Sequence, residues 1–300
     1  MTIDVRVPAT SANLGPGFDV LGLALGLYND LAYEEADGVV VTVEGEGAGR
    51  LPTGADNVVA RAARMAHEAA GRPFRGATIR CVNRIPPARG LGSSAAAWVG
   101  GLVAANAALG APLDRDAVLA LACRAEGHPD NVAAALLGGL TISCAADERV
   151  TAVSLAVPAD TTWVVLVPQT ESSTREARAV LAATVSRADA VFNLQRLALF
   201  LASITSGRVD LLRVAMEDRL HQPQRRALFP WMDAVRDSAI GAGALGCVLS
   251  GAGPSLLAAV RGTGDPVARA MERALAAAGV AGRAQALPVD TTGATWNLRR

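Results

Sequence analysis

Two glycine-rich runs and two polar clusters hold the residue types able to do chemistry in this chain. The first run is Gly90-Leu91-Gly92-Ser93-Ser94-Ala95-Ala96. Its glycines let the backbone approach a ligand and turn successive N–H groups toward one point. The serine pair opens a long apolar segment expected to be helical. Free N–H groups and the positive end of the helix dipole then face the same spot. The pattern suits an anion, and phosphate is the usual one. A hydroxyl of Ser93 or Ser94 could also serve Mg²⁺, which prefers oxygen. The plain alternative is a turn followed by a serine N-cap.

The second run, Leu249-Ser250-Gly251-Ala252-Gly253-Pro254-Ser255, lies between two apolar stretches. Alone it reads as a hairpin loop, and it bears on a ligand only if it meets the first run. Pro8-Ala9-Thr10-Ser11-Ala12-Asn13-Leu14-Gly15-Pro16-Gly17-Phe18-Asp19 reads as a strand leading into a polar loop, with Asn13 and Asp19 as its consequential side chains. Asx turns would explain the same residues. Glu126-Gly127-His128-Pro129-Asp130-Asn131 packs four polar residues where one helix should end and the next begin. Capping accounts for one of them, not for the cluster. Two arginine-bearing segments, Ser173-Thr174-Arg175-Glu176-Ala177-Arg178 and His221-Gln222-Pro223-Gln224-Arg225-Arg226, offer guanidinium forks for a carboxylate.

Composition removes whole classes of mechanism. Lys+Arg and Asp+Glu are both 28 and the formal charge is zero, so a broad grip on nucleic acid or on an anionic membrane is not expected. All the basic residues are Arg. Without lysine there is no Walker A lysine, no Schiff base and no protein-kinase strand lysine. Cys81, Cys123, Cys144 and Cys247 form no CxxC pair, and the three histidines His67, His128 and His221 are scattered. Zinc ligation and a disulfide framework lack their spacing, and a reducing cytoplasm is the expected compartment. Met1 to Arg6 has no apolar h-region, so no signal peptide is expected. Ala95 to Ala111 is apolar, but it is short, small-residue-rich and holds Asn106; it reads as a buried core helix rather than a membrane span.

The elements that must position these segments follow from periodicity. Strands are expected at Val5 to Val7, Val39 to Val43, Ala77 to Val82, Leu140 to Cys144, Thr162 to Val167, Gly246 to Leu249, Ser255 to Val260 and around Arg283 to Pro288. Helices are expected from a cap at Asp56 to Ala70, then at Ala95 to Ala111, Leu113 to Ala125, Asn131 to Leu137, 174–183, 187–205, 209–219, 230–241 and Pro266 to Ala278. Ala145 to Asp160 reads as a boundary. Runs of helices between strands argue for an α+β fold in two domains, 1–155 and 156–300.

Taken together and in this order, the segments resemble the GHMP small-molecule kinase family, in the branch that acts on homoserine. Pro86 to Ala96 is similar to the family's phosphate motif, and Leu249 to Ser255 to its C-terminal glycine loop. Pro8 to Asp19 and Glu126 to Asn131 resemble the segments marking the branch. The resemblance implies an N-terminal domain like ribosomal protein S5 domain 2 and a ferredoxin-like C-terminal domain, with ATP between them. It implies phosphorylation of the side-chain hydroxyl of L-homoserine with ATP and Mg²⁺, and a homodimer is compatible with it.

By the same resemblance, ATP is expected at Pro87, Ala88, Arg89, Gly90, Leu91, Gly92, Ser93, Ser94, Ala95 and Ala96. Asn57 is expected either at the adenine edge or as a helix cap. Asp19 is expected to meet the substrate ammonium or to act as a base, and Arg178 and Arg225 to meet its carboxylate. Asn13, His128, Asp130 and Asn131 are expected to hold the substrate, with Asn131 near the reacting hydroxyl. Thr174 is expected to orient Asn131 or the γ-phosphate. The family's metal-binding glutamate belongs on the helix before the fourth segment. Leu113 to Ala125 contains none, so Glu126 is the nearest choice to join Ser94 at the metal.

Overall fold

Ile3, Val5 and Val7 are buried while Asp4 and Arg6 are not, the period of two that a strand with one covered face requires. In the computed structural model, which describes residues 1–146 and 149–299, this strand is longer than expected. The first half runs β1 (Thr2–Asn13), β2 (Gly17–Glu35), β3 (Gly38–Gly45), α1 (Val58–Ala69), β4 (Gly76–Asn83), α2 (Ser93–Ala108), α3 (Arg115–Glu126), α4 (Asp130–Leu137), β5 (Leu140–Ala146) and β6 (Arg149–Leu155). The second runs β7 (Thr161–Pro168), α5 (Thr174–Ala179), α6 (Arg187–Ser206), a 3₁₀ turn at Val209–Leu211, α7 (Leu212–Ala215), α8 (Gln222–Arg225), α9 (Met232–Gly241), β8 (Gly246–Leu249), β9 (Leu256–Arg261), α10 (Asp265–Ala277), β10 (Gly282–Leu287) and β11 (Thr295–Arg299).

The fold is α+β with two sheets. The first has the order β11-β1-β2-β4-β3, with β5 pairing β2 and β6 pairing β5. Its pairs are antiparallel except β3–β4. The helices α1 to α4 bury its apolar face. The second sheet, β10-β7-β9-β8, is wholly antiparallel. Numbered within this half, its order is fourth-first-third-second with helices after the first and third strands, the ferredoxin-like arrangement. Helices α9 and α10 cover one face. The other face, through Trp163 and Val165, joins the main core with Phe200 of α6. The last strand crosses back: β11 pairs with β1 from Thr2↔Arg299 to Arg6↔Thr295.

Several expectations need correction. The polar loop expected after Val7 is strand through Asn13, because Ala9 to Ala12 pair with Leu25 to Gly22 of β2. The expected boundary contains β6, hydrogen-bonded to β5; its residues 147 and 148 lie outside the described residues. Asn57, not Asp56, caps α1: its Oδ1 accepts Val59 N–H at 2.9 Å. The helix expected over 209–219 breaks after Ala215. Asp218 explains the break, since its carboxylate accepts the N–H groups of Leu220, His221 and Gln222 in place of helix carbonyls. The apolar α2 is a core helix, and no helix among the described residues is long and apolar enough to cross a membrane.

Candidate active site

The phosphate-type loop is shaped by left-handed residues. Ala88, Gly90 and Gly92 have φ of 55°, 73° and 68°. Gly92 is the N-cap of the 16-residue α2 and supplies no side-chain cap. The N–H groups of the helix's first turn therefore stay available, at the positive end of its dipole. Close approach also forces glycine here. A Cβ on Gly92 would lie 1.9 Å from Thr10 Oγ1, and one on Gly90 would lie 2.3 Å from the Ser250 carbonyl.

That second contact answers the condition set by the sequence, because the two glycine runs meet. Ser250 Oγ donates to the Gly90 carbonyl at 2.7 Å and lies 2.8 Å from Ser11 Oγ. Ser255 N–H donates to the Arg89 carbonyl, and Gly251 N–H to the Ala12 carbonyl. The β8–β9 connection is thus both a hairpin loop and the far wall of the cleft. Gly90 to Ser94, Glu126, His128, Asn131, Ser172 to Thr174 and Gly251 to Gly253 line one cavity. A second, more apolar cavity continues past Pro87, Ala88, Ser93, Ser94 and Ala96 to Asn57, Leu51, Val43 and Cys81.

Ser94 and Glu126, the two residues expected at the metal, lie side by side. Glu126 is the last residue of α3, so the helix does carry a glutamate after all. Ser94 Oγ donates to its Oε2 at 2.7 Å. Burial pushes the Glu126 carboxyl up, the Ser94 bond and the charge of His128 pull it down, and Asp130 pushes it up again; the net direction is upward. Burial also works against the imidazolium of His128. The Asp130 bond and charge, with Glu126 beyond, outweigh it and hold the pKa above the ordinary histidine value. Asp130 is itself buried, and its Oδ1 takes His128 Nδ1 at 3.0 Å and Asn131 N–H at 2.7 Å.

Asn131 receives its orienting bond from Thr10, whose Oγ1 donates to Asn131 Oδ1 at 2.8 Å. Thr174, expected in that part, lines the cavity. Sequence reasoning passed over Thr10, although it sits in the quoted Pro8 to Asp19 segment; its partner is 121 positions away.

Behind the Gly251 loop lies the charged group. Asn13, Leu14 and Asp19 all have positive φ, at 69°, 48° and 57°. Such strain in non-glycine residues gathers at functional turns. Asn13 Oδ1 accepts Asp19 N–H, and its Nδ2 donates to the Gly251 carbonyl. Arg178 Nη1 and Nη2 donate to the two Asp19 oxygens at 3.0 and 2.5 Å. The side chains of Arg178 and Asp19 are 38% and 34% exposed, so both remain open to a ligand. Phe18 packs beneath, with the guanidinium carbons of Arg178 and Arg225 at 5.3 and 5.6 Å from its ring centre.

Ala95 and Arg225, expected at the ligand, lie outside both cavities, and a third group, Arg89, lines the first cavity with its guanidinium engaged by the protein. Ala95 is fully buried and lines neither cavity. The Arg89 guanidinium is tied to the carbonyls of Pro168 and Gln169 and to Glu171, fixing the loop to the end of β7. Arg225 is 1% exposed, with Nε on the Ala177 carbonyl and Nη1 on the Gly251 carbonyl and His221 Nδ1. Burial lowers its pKa to about 10, so it remains a cation at neutral pH.

An uncapped helix start, two glycine loops in contact and an oxygen pair beside them define a small-molecule phosphotransferase site. Residues 57–139 match the GHMP kinases N terminal domain, and residues 200–277 match the GHMP kinases C terminal region. The chain belongs to the GHMP kinase family. A homoserine kinase of Moorella thermoacetica is 48% identical over 276 residues, which is 92% of this chain and 93% of that protein. One from Desulfitobacterium hafniense is 44% identical, covering 97% of this chain and 99% of that protein. The crystal structure of homoserine kinase from Cytophaga hutchinsonii superposes with a TM-score of 0.91 at 31% identity, over 99% of this chain and 97% of that one.

Proposed function

We propose that this protein transfers the γ-phosphoryl group of ATP to the side-chain hydroxyl of L-homoserine, giving O-phospho-L-homoserine and ADP on the route to threonine. One observation carries the choice of substrate: an exposed Asp19–Arg178 pair adjoins a phosphate-type helix start. Homoserine presents an ammonium and a carboxylate on one carbon, and those two charges are complementary to this pair. A sugar, shikimate or mevalonate has no ammonium for Asp19.

In this reading the triphosphate lies along residues 90–95, held by backbone N–H groups at the start of α2. The cavity running to Asn57 takes the base and sugar. Arg178 receives the substrate carboxylate, and Arg225 adds a second positive charge from below. Asn131, fixed by Thr10, and His128, fixed by Asp130, hold the chain that bears the hydroxyl. The donor set fits Mg²⁺: two oxygens, from Ser94 and Glu126, suit an ion that keeps its remaining contacts for water and phosphate. When bound there, Mg²⁺ supplies charge neutralisation on the phosphates.

Phosphoryl transfer asks chiefly for alignment and electrostatic support, which a lysine-free site can supply. The hydroxyl oxygen forms its bond to the γ-phosphorus as the bond to the ADP oxygen breaks, and the hydroxyl proton passes to an oxygen of the transferred phosphoryl group. Asp19 acts by charge, since Arg178 holds both its oxygens.

The test is ADP release with Mg·ATP across L-homoserine, mevalonate, shikimate and galactose. Turnover of homoserine alone is expected. Silence with homoserine and turnover with another member of the panel overturns the assignment.

A further inference from the structure

The HQPQR segment contains a histidine that the proposed reaction leaves unused. His221 is fully buried. Its Nε2 lies 2.8 Å from the Gly15 carbonyl, and its Nδ1 lies 3.0 Å from Arg225 Nη1. Its ring stacks on Phe18, with centres 5.3 Å apart.

The chemistry of the two partners fixes the ring's protonation. A guanidinium can only donate, so Nδ1 must accept. A carbonyl can only accept, so Nε2 must carry the hydrogen. One state satisfies both, the neutral Nε2–H tautomer. Burial together with the cation of Arg225 favours the same neutral form, against the pull of Asp218.

The ring joins Gly15 to Arg225, 210 positions apart in the chain, and Asp218 lies three residues before it. Gly15 sits in the β1–β2 turn, between Asn13 at the end of β1 and Asp19 near the start of β2. Arg225 reaches the Gly251 loop and the Ala177 carbonyl next to Arg178. Asp218 anchors the near side: it accepts the backbone N–H of His221 and the Nδ2 of Asn193, and Asn193 in turn reaches the Pro16 carbonyl.

We propose that His221 is a positioning residue for the amino-acid substrate, acting as a neutral Nε2–H imidazole that aims Arg225 and locks it to the turn before Asp19. The ring is a spacer of fixed length between the group that supplies positive charge and the turn that leads into the negative one. Its ring bonds go to Gly15 and Arg225, and it does not line the phosphate-loop cavity, so its influence falls on homoserine rather than on ATP. The inference rests on the substrate reading given above.

Two near-isosteric substitutions separate the ring's two bonds. In His221→Asn the amide oxygen can sit where Nδ1 was, keeping the acceptor for Arg225. In His221→Gln the amide nitrogen can reach Gly15, and the Arg225 acceptor is lost. Losing an acceptor from a buried cation should raise the KM for L-homoserine about tenfold or more in His221→Gln, with the KM for ATP unchanged, while His221→Asn stays within about threefold of the parent. The inhibition constant of 3-aminopropan-1-ol, which has the ammonium and hydroxyl but no carboxylate, should not move in His221→Gln, which keeps the Gly15 bond. A ¹⁵N spectrum of the imidazole in the unaltered protein near neutral pH should show the Nε2–H tautomer, a readout that needs no variant to fold.

An Nδ1–H tautomer or an imidazolium overturns the proposal. So does an equal loss for homoserine and ATP, or a His221→Gln enzyme that binds homoserine normally. If the unaltered protein fails to phosphorylate homoserine, the substrate reading falls instead.

Discussion

The guanidinium of Arg178 holds both oxygens of the Asp19 carboxylate across 159 positions of sequence, joining α5 to the start of β2. A carboxylate fixed by two charge-assisted bonds is a charge partner rather than a mobile base. Asp19→Asn should therefore raise the KM for L-homoserine by about 10- to 100-fold and change kcat only a few-fold. Steady-state kinetics with homoserine varied decides it. A collapse of kcat at unchanged KM would identify Asp19 as the base.

Glu126 couples metal binding to pH. Its carboxyl is raised chiefly by burial, and only the ionised form suits Mg²⁺. Apparent Mg²⁺ affinity, read by titrating activity with the metal, should weaken as pH falls toward that raised value. Glu126→Gln should lower the affinity about tenfold at neutral pH and abolish this dependence. Stability has the opposite sign. Between the ordinary glutamate value and the raised one, the folded state holds more protons than the unfolded chain, so the metal-free protein loses stability as pH rises through that window. Glu126→Gln should remove this loss and raise the Tm without metal.

His128 gives a second pH signature. Its pKa lies above the ordinary value despite burial, because Asp130 and Glu126 face the ring. The imidazolium contributes stability that is complete below the unfolded value and is lost as pH rises through the folded one. Asp130→Asn should move the ring's titration, followed by NMR, to lower pH and reduce stability on the acid side of that window. An unmoved titration would mean that Asp130 does not govern the ring.

Gly92→Ala should be severe for two additive reasons. Alanine is strained at a φ of 68°, and its methyl group would collide with Thr10 Oγ1. Displacing Thr10 also releases Asn131. The expected loss is about 100-fold or more in kcat/KM for both substrates, measured beside an unchanged far-UV spectrum. Activity within a few-fold of the parent would show that the loop has room to give.

Local patterns made much of this legible. The glycine-serine run, its helix and the strand–helix order of the second half follow from residue types read a few at a time. β2 did not, although it is the longest strand. Gly22 and Gly26 interrupt its apolar alternation, and Asn29-Asp30 reads as a turn in isolation; its continuity comes from pairing with β1, β4 and β5. Thr10 and His221 were also missed, since each acts through a partner remote in sequence. Arg225 was expected at the ligand surface. Nothing local reveals that two carbonyls and a histidine ring would let a guanidinium be buried.

The pairing of β11 with β1 has a consequence for how the molecule can come apart. Removing the second half would strip a strand from the first sheet and leave the Thr2–Arg6 backbone as a raw edge, prone to recruit other chains. The halves are stitched rather than hinged, and the seam runs through the strand that also carries Thr10 and Asn13. Loosening it would disturb catalysis before it freed either half.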